Sequence, residues 1–249
     1  AFLRHATSKI RQAEDLLRIS SLGFRGEALS SIAAVSRTEC LTKTADSLTG
    51  MRYVIEGGEV RAAEEVGIPD GTTIIVRDLF FNTPARKEFL LSAAAETGRV
   101  RTVLEKQILA HPGITFTFIA DGKTVLFSAG GNDRKNCIYQ IFGRETASSL
   151  IPFSAELPGV RIGGCLGKAQ IARGSRACEL FFVNHRPIRS ELLSKACEEG
   201  YHGFLMAHRY PFVLLELDID GSLVDVNVHP AKQEVRFSNE KELAEAVTL

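Results

Sequence analysis

The stretch Gly23-Phe24-Arg25-Gly26-Glu27-Ala28-Leu29 decides the fold of this chain. Two glycines three positions apart, with an arginine between them, lead directly into a helix-forming segment. Glycine lets the backbone approach an anion closely, and the first turn of a following helix offers unpaired N–H groups and a positive dipole end. Glu27 complements that dipole. The pattern predicts a phosphate-holding loop before a helix that reaches about residue 35, although a tight turn alone has the same spacing.

Composition sets the limits for the rest of the chain. Its 249 residues are 45% hydrophobic and 24% charged, as in ordinary globular proteins. This length allows one large domain or two ordinary ones. The formal net charge is +0, so any contact with nucleic acid requires a local basic patch. We find no apolar run of membrane-spanning length and no signal peptide, and we therefore expect no membrane partner.

Cysteine and histidine spacing predicts neither disulfides nor a metal site. The five cysteines include no C-x-x-C pair, and an odd number argues against a closed disulfide framework. We expect reduced thiols in a cytoplasmic protein. The six histidines include no H-x-x-x-H pair. The chain begins without methionine inside apparently continuous structure and ends within a helical pattern, so we expect an excerpt from a longer protein.

Alternating strands and helices predict an α+β class in both halves of the chain. Strands are predicted at residues 38–44, 51–56, 59–64, 72–78, 114–120, 123–127, 160–167, 178–184, 212–219 and up to 228. Helices are predicted from Pro84 with Thr83 as N-cap, at residues 93–110, 134–142 and 191–199, and from residue 239. The β-branched strand at 72–78 is expected to be largely buried. A glycine-rich linker at 129–133 predicts two domains, 1–130 and 131–249.

Two short segments of the first half offer groups for phosphate or nucleotide. Thr7, Ser8 and Lys9 provide two hydroxyls and an ammonium, a suitable set for phosphate oxygens, although a solvated loop has the same composition. Gly71-Thr72-Thr73 enters a strand, and an ordinary turn suffices to explain it. Arg86 and Lys87 follow a few residues later and face either DNA or solvent.

Two segments of the second half carry basic residues on loops. In the stretch 182–189, a strand ends in a basic turn, where Arg186 and Arg189 could contact phosphates of DNA. An exposed turn without a partner is the alternative. In the stretch 225–237, Lys232 lies on a proline-led loop after a strand and could reach an anion outside its own domain.

In their order, these segments resemble the MutL family, the DNA mismatch repair ATPases of the GHKL superfamily. The resemblance rests on RHATSKI, GFRGEAL, GTT, DLFFNTPAR, FVNHRP and DVNVHPAKQEVRF. It implies that Thr7, Ser8, Lys9 and residues 23–29 belong to the lid over ATP and that a threonine hydroxyl of Thr72-Thr73 lies beside the adenine. Lys232 corresponds to the lysine that contacts the γ-phosphate. Arg186 corresponds to an arginine among the DNA-contacting residues, and His185 stands where glycine is common.

The same resemblance implies that part of the ATP site lies outside this chain. The family's E-x-x-x-N motif, which supplies the general base and the Mg²⁺ ligand, and its adenine-holding D-x-G-x-G motif do not precede Arg4. Neither Glu14 nor Glu27 replaces the base. The expected cofactors are ATP and Mg²⁺, whose ligand lies upstream, and the 249 residues alone are expected to hydrolyse no ATP.

For the fold, the resemblance implies a truncated Bergerat-type (GHKL) ATPase α/β sandwich over 1–130. A second domain over 131–249 is expected to be a ribosomal-protein-like β-α fold with a left-handed β-α-β crossover. For function, it implies an ATP-dependent mismatch-repair matchmaker or clamp that dimerises when ATP orders its lid. The alternatives are a non-hydrolysing ATP-binding DNA clamp and a type II topoisomerase ATPase subunit, against which GFRGEAL argues.

The expected partners follow from the same family. They are DNA bound without sequence specificity, a mismatch-recognition protein, a downstream nuclease or helicase, and a second copy of the protein. Such a homodimer would be cytoplasmic and nucleoid-associated in a bacterium, whereas a eukaryotic protein would form a nuclear heterodimer. The compact motif spacing favours a bacterial protein.

Overall fold

The computed structural model describes residues 1–9, 23, 26–220, 224–225, 236–237 and 240–248. The chain divides into two compact units, Ala1–Ser92 and Ala93–Leu249. Each unit combines helices with strands, which confirms the predicted α+β class. The two units divide after Ser92, whereas the sequence places a domain boundary near residue 130, and that boundary stays a prediction. No helix among the described residues is both long and apolar enough to cross a membrane.

The first unit is built on a four-stranded antiparallel sheet. Its elements are α1 (Ala28–Ala33), β1 (Arg37–Lys43), β2 (Gly50–Glu56), β3 (Glu59–Val66), β4 (Gly71–Arg77) and α2 (Pro84–Lys87). The strand order is β3-β2-β1-β4. The predicted hairpin turn at Gly57-Gly58 is confirmed, since both glycines have positive φ, 59° and 90°, as two-residue hairpin loops require.

Strand register gives this sheet one apolar and one charged face. Thr38 pairs with Ile55 on one side and Val76 on the other, and side chains alternate between faces along each strand. The apolar face therefore consists of Thr38, Cys40, Thr42, Met51, Tyr53, Ile55, Thr72, Ile74 and Val76. On the opposite face, Glu39 Oε1 lies 2.6 Å from Arg52 Nε, and the hydrogen bond from Arg52 lowers the pKa of Glu39.

One expectation for this unit is wrong. The strand at 72–78 is not buried, since Ile74 and Val76 are 44% and 42% exposed. The reason is its position, because among the described residues β4 forms the edge of the sheet and pairs with β1 alone. The helix after the glycine loop ends at Ala33, close to the predicted end at about residue 35, and Glu27 is its N-cap residue.

The second unit contains the longer helices and a mixed sheet. Its first elements are α3 (Ala93–Ala110), β5 (Thr115–Ala120), β6 (Lys123–Ala129), α4 (Arg134–Ser148), β7 (Leu150–Leu157) and β8 (Val160–Gly167). There follow β9 (Glu179–Val183), β10 (Arg186–Ile188), α5 (Glu191–Gly200), β11 (Val213–Ile219), β12 (Val224–Asp225), β13 (Arg236–Phe237) and α6 (Glu240–Thr248).

Five of these strands form a sheet in the order β10-β9-β11-β8-β7. Strands β9 and β11 are parallel, and the other neighbours are antiparallel. A parallel pair needs a crossover connection, and α5 lies between the two strands in sequence. This arrangement agrees with the expected β-α-β unit, whose handedness stays a prediction.

Strand β11 lies in the middle of the sheet and separates two hydrophobic clusters. Leu215 and Leu217 belong to the cluster that contains Leu193 and Cys197 of α5. Leu214 belongs to the other cluster, with residues of α3 and α4. Helices therefore cover both faces of the sheet. Polar side chains on β11 have to lie at the ends of the strand or form hydrogen bonds or ion pairs.

Within its described residues, the structure has three strands that the sequence pattern did not predict, β7, β10 and β13. Pro152 lies inside β7, and proline within a run argues against a central strand. Because β7 is the edge strand and pairs with β8 alone, the missing N–H of proline is tolerated. Helix α4 begins at Arg134 as predicted, and the non-helical Gly143, at φ 85°, interrupts it directly after the predicted end at residue 142, before a further turn that ends at Ser148. The predicted linker ends in its N-cap, Asp133, which accepts a hydrogen bond from Asn136 N at 3.1 Å.

Candidate functional site

The glycine loop and the N-terminal polar segment meet in the first unit. Gly26 has φ 63°, and a Cβ built on it would lie 2.1 Å from the Ala6 carbonyl oxygen. Only glycine allows this approach, because a Cβ at such a distance would overlap the backbone of Ala6. Ala6 and Gly26, 20 positions apart in sequence, thus bring the two segments predicted to form the ATP lid into backbone contact.

Side chains around this contact are largely exposed. Glu27 Oε1 lies 3.1 Å from His5 Nδ1, so this carboxylate contacts the N-terminal segment instead of acting only on the helix dipole. Thr7 Oγ1 accepts a hydrogen bond from Lys9 N at 3.2 Å. Ser8 and Lys9 are exposed, and Lys9 forms no ion pair with any described residue. Its ammonium group is therefore available to an anion.

The remaining residues of the predicted nucleotide loop are only partly described. Phe24, Arg25 and Lys232 lie outside the described residues. Among the described residues, no atom lies within 4 Å of a Cβ built on Gly23, so the steric requirement seen at Gly26 is absent from this position there. Ala28 and Leu29 form the start of α1, which is six residues long.

The two threonines of the Gly71-Thr72-Thr73 segment lie on opposite faces of the sheet. Thr72 pairs with Thr42 in the register of β1 and β4, and the two hydroxyl oxygens are 2.8 Å apart. Both belong to the apolar face, where the ring of Phe2 stacks on Tyr53 at 5.6 Å between centroids. Thr73 lies on the charged face. The N-terminal segment and Thr72 thus share one side of the sheet, and Thr73 does not.

The basic turn of the second unit is a two-residue hairpin loop between β9 and β10. Asn184 and His185 both have positive φ, 47° and 62°, as a type I′ turn requires. His185, which stands where glycine is common in the family, therefore preserves the turn. Its backbone is left-handed, a conformation that residues with a Cβ seldom adopt.

The two arginines of this turn differ in accessibility. Arg186 is 8% exposed, and burial lowers the pKa of its guanidinium. Arg189 is exposed and forms no ion pair within the described part of the chain. Arg189 is therefore accessible to a phosphate, whereas Arg186 is buried in this conformation.

Arg189 has a neighbouring cation that the sequence pattern did not single out. Burial lowers the pKa of Lys106 on α3, and the charge of Arg189 lowers it further. No acidic side chain among the described residues pairs with either group. Two cations held together without an acid form a suitable phosphate site. Sequence spacing did not indicate Lys106, because it is far from the turn along the chain. Arg86 and Lys87, in the first unit, are exposed at the end of α2.

The fold defines the class of protein. A crystal structure of the N-terminal domain of a DNA repair protein superposes with a TM-score of 0.79 at 26% identity, over 99% of this chain and 77% of that one. The MutL ATPase domain of Aquifex aeolicus complexed with ADP gives a TM-score of 0.63 at 24% identity, over 84% and 75%. The gyrase B subunit of Myxococcus xanthus gives 0.51 at 13%, over 97% and 76%. This is the fold of the GHKL ATPase domains.

Sequence similarity defines the family within that class. Residues 138–249 match the family described as DNA mismatch repair protein, C-terminal domain. The chain is 53% identical to the DNA mismatch repair protein MutL of Agathobacter rectalis, over 98% of this chain and 37% of the relative. It is 44% identical to MutL of Shouchella clausii, over 99% and 38%. The chain belongs to the MutL family, and it spans less than two fifths of the length of these relatives.

Proposed function

We propose that this chain is part of a DNA mismatch repair protein of MutL type, an ATP-dependent matchmaker that couples mismatch recognition to downstream strand processing. The support is 53% identity to a MutL protein across nearly the whole chain. We further propose that residues 1–130 form part of the ATPase domain and that residues 131–249 form a second, transducing domain.

The contact of Gly26 with Ala6 carries the nucleotide-binding part of the proposal. It brings the backbone of the glycine loop to the segment that holds Thr7, Ser8 and Lys9, and adjacent backbone and hydroxyl donors suit phosphate oxygens. The Aquifex aeolicus domain with the same fold is complexed with ADP. We propose that residues 23–29 and Lys9 hold the phosphates of ATP and that Thr72 faces the adenine.

Hydrolysis requires groups that this sequence does not supply. By family resemblance, the general base and the ligand for Mg²⁺ come from a motif absent before Arg4, and Lys232 contacts the γ-phosphate in the closed state. We therefore expect the 249 residues alone to show no turnover. In the intact protein, Lys232→Ala should lower kcat more than nucleotide affinity.

The DNA-binding part of the proposal rests on local charge. With a formal net charge of +0, duplex DNA requires a cluster such as Arg189 and Lys106, with Arg86 and Lys87 as further candidates. Contacts with phosphates carry no base information, so binding should be independent of sequence. Arg186 would take part only if it left its buried position.

The further partners follow from the family. We propose a homodimer that closes when ATP binds, and that acts with a mismatch-recognition protein and a nuclease or helicase in the bacterial cytoplasm. The bacterial relatives support this setting. Family membership removes the support for a topoisomerase subunit. A non-hydrolysing clamp stays the alternative, and ATP turnover by the intact protein decides between them.

Gly26→Ala in the intact protein tests the nucleotide site. The new Cβ would displace Ala6 and separate the two segments, so ATP affinity measured by titration calorimetry should fall at least tenfold. Gly67→Ala is the matched control, because no atom lies within 4 Å of its Cβ position. Equal ATP affinities for Gly26→Ala and the control would remove this loop from the nucleotide site.

A further inference from the structure

Ionisable side chains from four elements of the second unit converge at one end of its large sheet. Glu216 and Asp218 lie two positions apart on β11, so both project from the same face. His185 comes from the β9–β10 turn, Arg134 from the first turn of α4, and His111 from the end of α3. None of these residues takes part in the proposed nucleotide or DNA contacts.

Three of them place ligand atoms close enough for one ion. The donor atoms of His185, Glu216 and Asp218 all lie within 4.8 Å of one another. Glu216 Oε1 lies 2.6 Å from His185 Nδ1. Asp218 forms no ion pair with any described residue, although Arg161 is its partner across the strands. Its carboxylate is therefore free to turn towards the other two groups.

Unsatisfied polar atoms mark the same place. His111 Nε2 and Arg134 Nε are buried without a hydrogen-bond partner among the described residues, whereas the partner of Glu216 Oε1 is the His185 imidazole. A buried polar atom without a partner costs about 1–3 kcal/mol in general, and two in one place call for an explanation such as an ion. The acceptor atoms, Glu216 Oε1 and His111 Nε2, have the lone pairs that a cation requires.

Arg134 orients the central carboxylate without blocking it. Its Nη2 pairs with Glu216 Oε2, which leaves Oε1 for a ligand bond. The ring centroids of His111 and His185 are 6.0 Å apart. Two imidazoles on one tetrahedral ion, with metal–nitrogen bonds of about 2.0–2.1 Å, have centroids about 5–6 Å apart. His111 can thus approach as a fourth ligand.

We propose that His185, Glu216 and Asp218 bind a divalent transition-metal ion, with Zn²⁺ as the best fit and His111 nearby as a further donor. An imidazole among carboxylates suits Zn²⁺ better than Mg²⁺, which takes oxygen ligands in octahedral geometry. On binding, the 2.6 Å contact opens to about 3.3 Å, the separation of two ligands at tetrahedral angles. The exposed His185 side chain can make this movement.

Zn²⁺ titration of the intact protein tests the proposal. After treatment with EDTA and removal of the chelator, calorimetry should show one Zn²⁺ fewer for His185→Gly than for the wild type. Glycine is favoured at positive φ, so this substitution keeps the turn and should leave folding intact. His202→Ala, which removes an exposed histidine of the same unit, is the matched control and should retain the full number.

Two further measurements identify the ion and its ligands. Co²⁺ in place of Zn²⁺ should give visible bands that His185→Gly loses, without the near-ultraviolet charge-transfer band that cysteine thiolate produces. A hundredfold excess of Mg²⁺ should leave Zn²⁺ bound. Equal Zn²⁺ numbers and affinities for wild type and His185→Gly would overturn the proposal, as would a thiolate band on the His185-dependent ion or its displacement by Mg²⁺.

Discussion

Asn184 and Ile219 are joined by two hydrogen bonds between a side chain and a backbone. Asn184 Nδ2 donates to Ile219 O at 2.9 Å, and Ile219 N donates to Asn184 Oδ1 at 3.0 Å. A third bond runs from Asn184 N to Leu217 O at 2.9 Å. The β9–β10 turn is therefore fixed to the end of β11 by a residue that also adopts a left-handed backbone, which asparagine tolerates better than most residues.

Asn184→Gly should loosen this turn while keeping its backbone conformation. Glycine accepts positive φ, so the loss is confined to the two side-chain bonds, at about 1 kcal/mol each. Hydrogen exchange at Ile219 and across residues 179–189 should accelerate about tenfold or more. Asn132→Gly is the control, since Asn132 also has positive φ, 55°, and lies outside the turn. Unchanged exchange near Ile219 would show that the amide bonds contribute nothing.

Glu179 predicts a pH-dependent stability of the second unit. It is 9% exposed, and burial raises its pKa from 4.5 to about 7. Between these values the folded protein binds more protons than the unfolded one. The contribution of Glu179 to the free energy of unfolding is therefore complete below pH 4.5 and is lost as pH rises through 7. Glu179→Gln should flatten this dependence and be more stable at pH 8, by up to about 3 kcal/mol.

Scanning calorimetry of the intact protein from pH 5 to pH 8 measures this effect. Glu191→Gln is the control, because this carboxylate is 66% exposed and exposed ion pairs contribute little. If Glu179→Gln and the wild type lose stability in parallel as pH rises, Glu179 does not carry the dependence.

Arg189 and Lys106 should carry DNA affinity that Arg186 does not. Arg189→Glu should weaken binding of duplex DNA and reduce the slope of log affinity against log salt by roughly 0.9 for each phosphate that the variant no longer neutralises. Arg144→Glu reverses an exposed charge elsewhere on the second unit and serves as the control. Superimposable salt series for Arg189→Glu and Arg144→Glu would show that Arg189 is only a surface arginine.

Charge reversal at Arg186 should instead affect folding. The side chain is buried, and an unpaired buried carboxylate is strongly destabilising. We therefore expect Arg186→Glu to lower the melting temperature of the intact protein, and Arg186→Lys to lower it less. A variant Arg186→Glu that melts like the wild type but fails to bind DNA would show that Arg186 reaches the nucleic acid after all.

Local sequence patterns predicted most of the helices and strands. They could not predict which residues from separate elements lie close together in the folded chain. The helix Ala93–Ala110 and the hairpin at Gly57-Gly58 follow from periodicity and turn chemistry, which act over a few residues. The exposure of Ile74 depends on which strand forms the edge of the sheet, and that is decided by the whole fold. The same reason hid the Lys106–Arg189 pair and the cluster around Glu216, whose members come from separate elements.

Sequence spacing also could not show which of Thr72 and Thr73 faces the nucleotide. The strand register places the two side chains on opposite faces of the sheet. Thr72, on the apolar face with its hydroxyl 2.8 Å from that of Thr42, should take part in nucleotide binding, and Thr73 on the other face should not. Thr72→Val in the intact protein keeps the side-chain shape but removes the hydroxyl. Loss of one hydrogen bond of about 0.5–1.5 kcal/mol should weaken ADP binding about two- to tenfold. Thr73→Val is the matched control, and calorimetric titration with ADP measures both. If Thr73→Val weakens binding and Thr72→Val does not, the nucleotide lies on the charged face, and the contact of Gly26 with Ala6 has only a structural role.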